Sequence, residues 1–128
     1  MKSKINNKSN LIFLFLTGNT RLFGSFIKAK IEVKHNSYTK DEGAFVFSLN
    51  NNKIYNILIP EYAIRFLSNC PILVGNNANS NGFLINSGKI DDKGLINNPK
   101  IYDFQKNYEL TEGFNEFKEL EIFEINYI

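Results

Sequence analysis

The sequence is poor in the residues that brace small secreted domains. Its 128 residues include one cysteine, one histidine, three prolines and no tryptophan. The lone Cys70 cannot form an internal disulfide, whereas a secreted domain of this size usually carries several cysteine pairs. A reducing compartment is therefore expected, and with it a cytoplasmic location.

The same scarcity limits the chemistry that the side chains can perform. Hydrolases with a nucleophile and a base would depend on His35, which lies in a polar stretch typical of a surface loop. Cys70 precedes a proline and the apolar residues 72–74, a pattern typical of a small buried side chain. Zinc needs about four nitrogen or sulfur ligands, which these two residues cannot supply. We expect no catalytic residue, no metal and no cofactor.

Long hydrophobic runs and charge of one sign are also lacking. The apolar run at residues 11–16 is far shorter than the roughly 18 residues of a transmembrane helix, and short for a signal peptide. The 15 basic and 13 acidic residues alternate along the chain and leave a net charge of +2. This balance implies neither a nucleic acid nor an acidic partner. We expect no direct insertion into a membrane.

What the sequence does contain is β-type periodicity. Residues 11–16 are apolar on both faces, which predicts a central strand. Alternation over residues 23–33 predicts a half-buried strand. Residues 44–49 and 54–59 are separated by an Asn-rich tetrapeptide, a length and composition that predict an antiparallel hairpin.

The rest of the chain is less regular. Residues 61–68 are compatible with a short helix or with irregular chain, and the apolar residues 72–74 and 83–85 flank an Asn-rich loop. Residues 102–110 and 117–128 are further β candidates. These patterns predict a mainly β domain, either a β meander or a β-sandwich, over residues 11–128 after a flexible N-terminus at 1–10.

Acidic residues concentrate near the C-terminus, at Glu112, Glu116, Glu119, Glu121 and Glu124. Paired carboxylates perform acid and base work in glycosidases, so a small hydrolase is one hypothesis. Charges on an edge strand also prevent unwanted sheet pairing or contact a partner, and neither role requires a substrate. We favour the second interpretation; a structural subunit of a larger assembly is the remaining alternative.

The order of motifs resembles the TLDc domain. Residues 22–26 read LFGSF and residues 38–49 read YTKDEGAFVFSL, similar to the family's FGG or FGS followed by YxxDxxAFLFSL. The ending at residues 117–125 looks like the family's acidic C-terminal motif, and the resemblance covers roughly residues 11–125. The family's glycine-rich GGGxD segment appears in this sequence only as Gly75 followed by asparagines. A complete TLDc domain begins with a further helical segment, and because this sequence starts almost at the first strand, an incomplete N-terminal end is expected.

The resemblance implies a mainly β fold with short helices (α+β), built as a two-sheet antiparallel β-sandwich. It also implies a protein-interaction module linked to oxidative-stress resistance, with subunits of the vacuolar-type proton ATPase as partners and no catalytic machinery. It assigns partner binding to Glu119 and Glu121, which lie two apart and so share a strand face. Gly24 falls inside a β run, where a missing side chain permits close backbone approach or a bulge. Gly24 and Gly75 are therefore structural, as are Phe45 and Phe47. The expected core includes six apolar side chains: Phe23, Phe26, Phe45, Phe47, Leu84 and Ile122.

Overall fold

The computed structural model describes residues 5–32, 37–66, 72–75, 83–86, 89–96, 100–114 and 116–126. Within these ranges the chain is mainly β, as expected. The strands are β1 (Leu11–Thr17), β2 (Leu22–Ile27), β3 (Ser37–Thr39), β4 (Phe45–Ser48), β5 (Lys53–Asn56), β6 (Ile64–Phe66), β7 (Ile72–Val74), β8 (Phe83–Asn86), β9 (Lys89–Asp91) and β10 (Phe117–Glu124). A single 3₁₀ turn in the described part covers Pro60–Tyr62.

The strands form two antiparallel sheets of five, which confirms the predicted β-sandwich. The first sheet has the order β10-β1-β2-β4-β5, and the second has the order β3-β6-β7-β8-β9. Their inner faces meet through aromatic rings: the Phe83 ring of the second sheet lies 5.8 Å from Phe15 and 5.9 Å from Phe23 of the first, measured between centroids. Edge-to-face packing of this kind adds to the stability from apolar burial.

Strand β1 lies inside the first sheet with a neighbour on each side, as its two apolar faces predict. It pairs with β10 on one side and with β2 on the other. The strand predicted over residues 23–33 is shorter than expected, because β2 ends at Ile27. There the buried Asp41 carboxylate accepts the amide hydrogens of Lys28, at 2.6 Å, and Ala29, at 3.1 Å, which removes these groups from the ladder.

The predicted hairpin is confirmed by the antiparallel pair of β4 and β5. For residues 61–68 a short helix and irregular chain were both open; the described part, residues 61–66, contains the end of the 3₁₀ turn and then β6. The strand predicted over residues 102–110 is wrong, because this segment consists of irregular chain, bends and turns apart from one isolated bridge at Tyr102. Its backbone curls around the Glu109 carboxylate, which accepts the amide hydrogens of Gln105 and Lys106 at 2.7 and 3.3 Å.

The predicted core is correct only in part. Phe23 is fully buried between the sheets, and Ile122 is partly buried against the same cluster. Phe26, Phe45 and Phe47 were expected in the interior, and this is wrong: they are half-buried on the opposite face of the first sheet. The strand period of two explains the error, since Val46 and Ser48 occupy the inward positions of β4. The Leu84 side chain lies outside the described part.

Residues 5–10, assigned above to a flexible N-terminus, pack against the sandwich. Ile5 is buried in the core, and the amide of Asn7 donates to the Ile31 carbonyl at 2.6 Å. The amide of Ile31 donates in turn to the Lys8 carbonyl at 2.8 Å. No helix in the described ranges has the length and apolar character needed to cross a membrane.

Candidate binding surface

The outer face of the first sheet is apolar, although it is not covered by the second sheet. Directly paired residues of antiparallel strands point to the same side, so the register defines this face. We call it the outer apolar face. It consists of Ile12, Leu14, Leu16, Leu22, Phe26, Phe45, Phe47, Ile54 and Phe123.

Exposure on the outer apolar face rises from its centre to its edges. The residues of the central strands are half-buried by their neighbours, whereas Ile54 on β5 is 64% exposed and Phe123 on β10 is 47% exposed. Leu49, which follows β4, is 59% exposed. An antiparallel sheet with one face in water normally carries polar residues there. A contiguous apolar patch instead indicates an interaction site.

Gly24 lies in the middle of the outer apolar face and allows Phe47 to lie flat on it. A Cβ atom at Gly24 would collide with the carbonyl oxygen of Phe13 and come within 2.5 Å of Cζ of Phe47. The Phe45 ring packs next to Phe47, at 6.3 Å between centroids, and next to Phe26, at 5.2 Å. The predicted close approach at Gly24 is therefore present, and it positions the aromatic cluster.

A shallow hollow of about 370 Å³ adjoins this cluster at the β4–β5 hairpin. Its lining includes the apolar side chains of Phe47, Leu49 and Ile54, together with Asn52 and Lys53. Asn52 has a φ of 52°, the left-handed conformation that Asn tolerates in a tight turn. The hairpin loop thus folds back to leave an open apolar depression at one edge of the sheet.

The opposite edge of the same face is acidic. Glu119 pairs with Leu16 and Glu121 with Leu14, so both carboxylates lie on the outer face, as their spacing predicts. Both are exposed, and neither has an ion-pair partner within the described ranges, whereas Glu124 pairs with Lys8 at 3.5 Å. Lys28 lies at the far end of the face, where β2 ends. The structure thus brings the two predicted partner-binding acids next to an apolar surface.

A second group of acids is buried and serves a different purpose. Asp92 accepts the amide hydrogens of Leu110 and Thr111 at 3.2 and 2.9 Å, and the Thr111 hydroxyl at 2.7 Å. Burial raises the pKa of the Asp92 carboxyl, while these hydrogen bonds act in the opposite direction. Three of these donors belong to residues 110–111, so Asp92 fastens this segment to the sandwich.

Glu109 and Arg21 extend the same polar cluster. The Tyr55 hydroxyl donates to Glu109 at 2.9 Å, and burial raises the pKa of Tyr55 to about 12, with Asn51 lowering it and Glu109 raising it further. The Arg21 guanidinium donates to the Leu110 carbonyl at 3.1 Å and pairs with Glu112 at 2.9 Å. Because these charged groups are satisfied by the protein itself, the cluster is a structural element.

The other predicted residues divide into two sets. Gly75 has a φ of +73°, and a Cβ there would lie 2.6 Å from the Tyr102 ring, so glycine is required on both grounds. His35, Cys70 and the asparagines after Gly75 lie outside the described residues. In the ranges that are described, no group of three or more His, Cys, Asp or Glu side chains is placed to hold a metal ion.

The sequence reasoning missed the apolar half of this surface. Ile54 and Leu49 were assigned only to strands of a hairpin, and Phe45 and Phe47 to the core. One feature could have revealed the face: the run at residues 11–16 is apolar on both sides. A central strand of that kind requires two apolar faces of the sheet, one of which the second sheet does not cover.

Comparison with models of known protein families identifies a family for this chain. The sequence model of the TLDc domain matches residues 1–126 of the chain. No curated protein matches it.

Proposed function

Because this chain belongs to the TLDc domain family, we propose that it is a protein-interaction module that binds its partner through the outer apolar face and the Glu119–Glu121 pair. One observation carries the proposal: an open apolar sheet face lies beside two exposed acids that have no ion-pair partner in the described ranges. Apolar area supplies affinity in such an interface, and charges at the rim supply specificity.

The acid pair supports partner binding over a role in the fold. Carboxylates two residues apart on one strand face are about 7 Å from each other and repel. Exposed charges of this kind contribute little to folding stability. A partner with basic groups opposite them would relieve the repulsion and would bind with a higher association rate constant. Glu119 and Glu121 therefore serve recognition, and a basic surface lies on the partner.

The family resemblance supplies the class of partner. Subunits of the vacuolar-type proton ATPase bind several TLDc proteins, and members of the family contribute to oxidative-stress resistance. We assign the same class of partner to this chain, in the cytoplasm. The matched region covers residues 1–126 and includes both acids and the aromatic cluster of the outer apolar face.

Hydrolysis by the C-terminal acids is not supported by the geometry. Glu119 and Glu121 lie on the exposed edge strand β10, beside apolar side chains and open solvent. A carboxyl group that acts as a general acid is usually buried in an enclosed site, where desolvation raises its pKa. The placement of these acids favours an electrostatic contact.

The experiment is a native pull-down with the double variant Glu119→Gln and Glu121→Gln, which removes charge and retains size. We expect capture of proton-ATPase subunits, identified by mass spectrometry, to fall several-fold while the thermal melt is unchanged. The matched control is Glu42→Gln with Glu61→Gln, two exposed acids that lie near Lys40 and away from β10. Capture that is unaffected, or lost only because the domain unfolds, would refute the proposal.

A further inference from the structure

The outer apolar face restricts what can lie on it. Backbone hydrogen bonds of a sheet lie in its plane, so the face offers side chains and no backbone donors or acceptors. An occupant must therefore satisfy its own backbone polar groups, because unsatisfied buried groups are costly. An α-helix does so internally, and a second sheet does so between its strands. A single extended segment does not.

The charge of the outer face distinguishes between an α-helix and a second sheet as its occupant. The outer face carries Glu119 and Glu121 on β10, whereas Lys28, which follows the last residue of β2, lies at the opposite end. A second copy of this chain would place two more acids in the interface. A helix with lysine or arginine along one flank would instead neutralise the acids.

The dimensions of the face suit a short helix. From Ile12 to Leu16 the apolar row of β1 is about 14 Å long, and five strands span about 19 Å. A helix of three turns is about 16 Å long and 10 Å or more in diameter. Laid along β1 and β2, it reaches Glu121 on one flank and the hollow at Ile54 on the other.

We propose that the outer apolar face binds an amphipathic α-helix with a basic flank. This inference rests on the proposed function. Its apolar stripe covers Leu14 and the Phe47 ring over Gly24. One large apolar side chain of the helix fills the hollow between Leu49 and Ile54. Its basic flank pairs with Glu119 and Glu121.

The probe is a synthetic amphipathic peptide of leucine and lysine, fluorescently labelled and about 18 residues long, so that it is helical by itself. Two reference peptides accompany it: one replaces lysine by glutamate, and the other keeps the composition but scatters the leucines around the helix. We expect the wild-type chain to bind the leucine–lysine peptide at least about tenfold more tightly than either reference, as measured by fluorescence anisotropy at low salt.

Two protein variants locate the site. Ile54→Gln removes the wall of the hollow and should weaken binding of the leucine–lysine peptide about five- to tenfold. The matched control is Ile96→Gln, an exposed isoleucine that is distant in sequence and outside the sheets, which should leave binding unchanged. Glu119→Gln with Glu121→Gln should reduce the preference for the leucine–lysine peptide over the leucine–glutamate one.

The outcomes that overturn the proposal are distinct. Equal binding of the three peptides, or equal weakening by Ile54→Gln and Ile96→Gln, excludes a helix at this face. A dimer in light scattering that Ile54→Gln dissociates assigns the face to a second copy. If the protein binds neutral phosphatidylcholine vesicles but not the peptide, and Ile54→Gln abolishes vesicle binding, the outer apolar face binds lipid. If the peptide does not bind, but capture in the pull-down still depends on Glu119 and Glu121, the proposed helix is excluded and the proposed function stands.

Discussion

The two faces of the sheet β10-β1-β2-β4-β5 are both apolar, yet they differ in what covers them. On the inner face Phe13, Phe15 and Phe23 are almost completely buried against the second sheet. On the outer face the equivalent row is half-buried at its centre, and Ile54 and Phe123 are exposed at its edges. The same strands therefore form one face that is buried in the core and one face that no described element covers.

The difference teaches which face serves which purpose. Burial of apolar area at the inner face supplies the stability of the fold, since each large side chain removed from water contributes roughly 1.5–3 kcal/mol. The outer face retains apolar area in contact with water, which becomes favourable when a partner covers it. The acids Glu119 and Glu121 belong to the outer face only.

Removing β10 should have the largest effect, because this strand contributes to both faces. Deletion of residues 117–128 removes the ladder to β1 and the packing of Leu120 and Ile122 against the core. The loss is comparable to the roughly 5–15 kcal/mol by which a domain is stable, so we expect no cooperative unfolding. The replacement Phe123→Gln, which keeps the strand, should still unfold cooperatively. A cooperative thermal transition in the truncated chain would contradict this.

Gly24→Val should be the most damaging single substitution on the outer face. The new side chain would collide with the Phe13 carbonyl and the Phe47 ring, and overpacking of this kind costs at least about 2 kcal/mol. The neighbouring Ser25→Ala is the control. The Ser25 hydroxyl is buried without a hydrogen-bond partner in the described ranges, so its removal should be neutral or slightly stabilising. Urea denaturation that finds Gly24→Val as stable as wild type would refute the close approach.

A pair of truncations compares the two faces directly. Phe15→Ala on the inner face should lower the free energy of unfolding by about 3–5 kcal/mol, because the ring is fully buried among other aromatics. Ile54→Ala on the outer face should change it by less than about 0.5 kcal/mol, because that side chain is mostly exposed. Similar costs for both substitutions, measured by urea denaturation, would mean that the outer face is part of the core.

The smallest effect concerns the pH dependence of Tyr55 on the inner face of β5. Its folded pKa of about 12 lies above the ordinary value of 10.0, so the neutral phenol stabilises the fold. That contribution is fully present below pH 10 and is lost as pH rises toward 12. The difference in unfolding free energy between wild type and Tyr55→Phe should therefore shrink over this range. A constant difference in urea titrations at each pH would contradict the assignment.

The regular parts of the fold were readable from the sequence because they depend on local periodicity. The two apolar sides of residues 11–16 predicted a central strand, and the Asn-rich loop predicted the β4–β5 hairpin. The spacing of Glu119 and Glu121 placed both acids on one face of β10. Alternation and turn composition carry this information without knowledge of distant residues.

The errors occur where distant side chains decide the backbone. The Asp41 carboxylate accepts the amide hydrogen of Lys28, 13 residues earlier in the chain, and this ends β2. Glu109 accepts the amide hydrogen of Gln105, which curls residues 105–109, and it also accepts the hydroxyl of Tyr55, 54 residues earlier. The inward side of β4 was ambiguous because alternate positions on both sides are apolar, so the hydrophobic pattern does not fix the orientation of Phe45 and Phe47. Such pairings become visible only in three dimensions.

Side-chain footprinting tests the central claim most directly. The free protein and the complex captured from native extract are labelled with a carbene reagent, and the labelled side chains are located by mass spectrometry. We predict that Leu49 and Ile54 are labelled in the free protein and protected in the complex, while the buried Phe15 and Phe23 are unlabelled in both. Unchanged labelling of Leu49 and Ile54, with protection of another surface, would show that the outer apolar face is not where the partner binds.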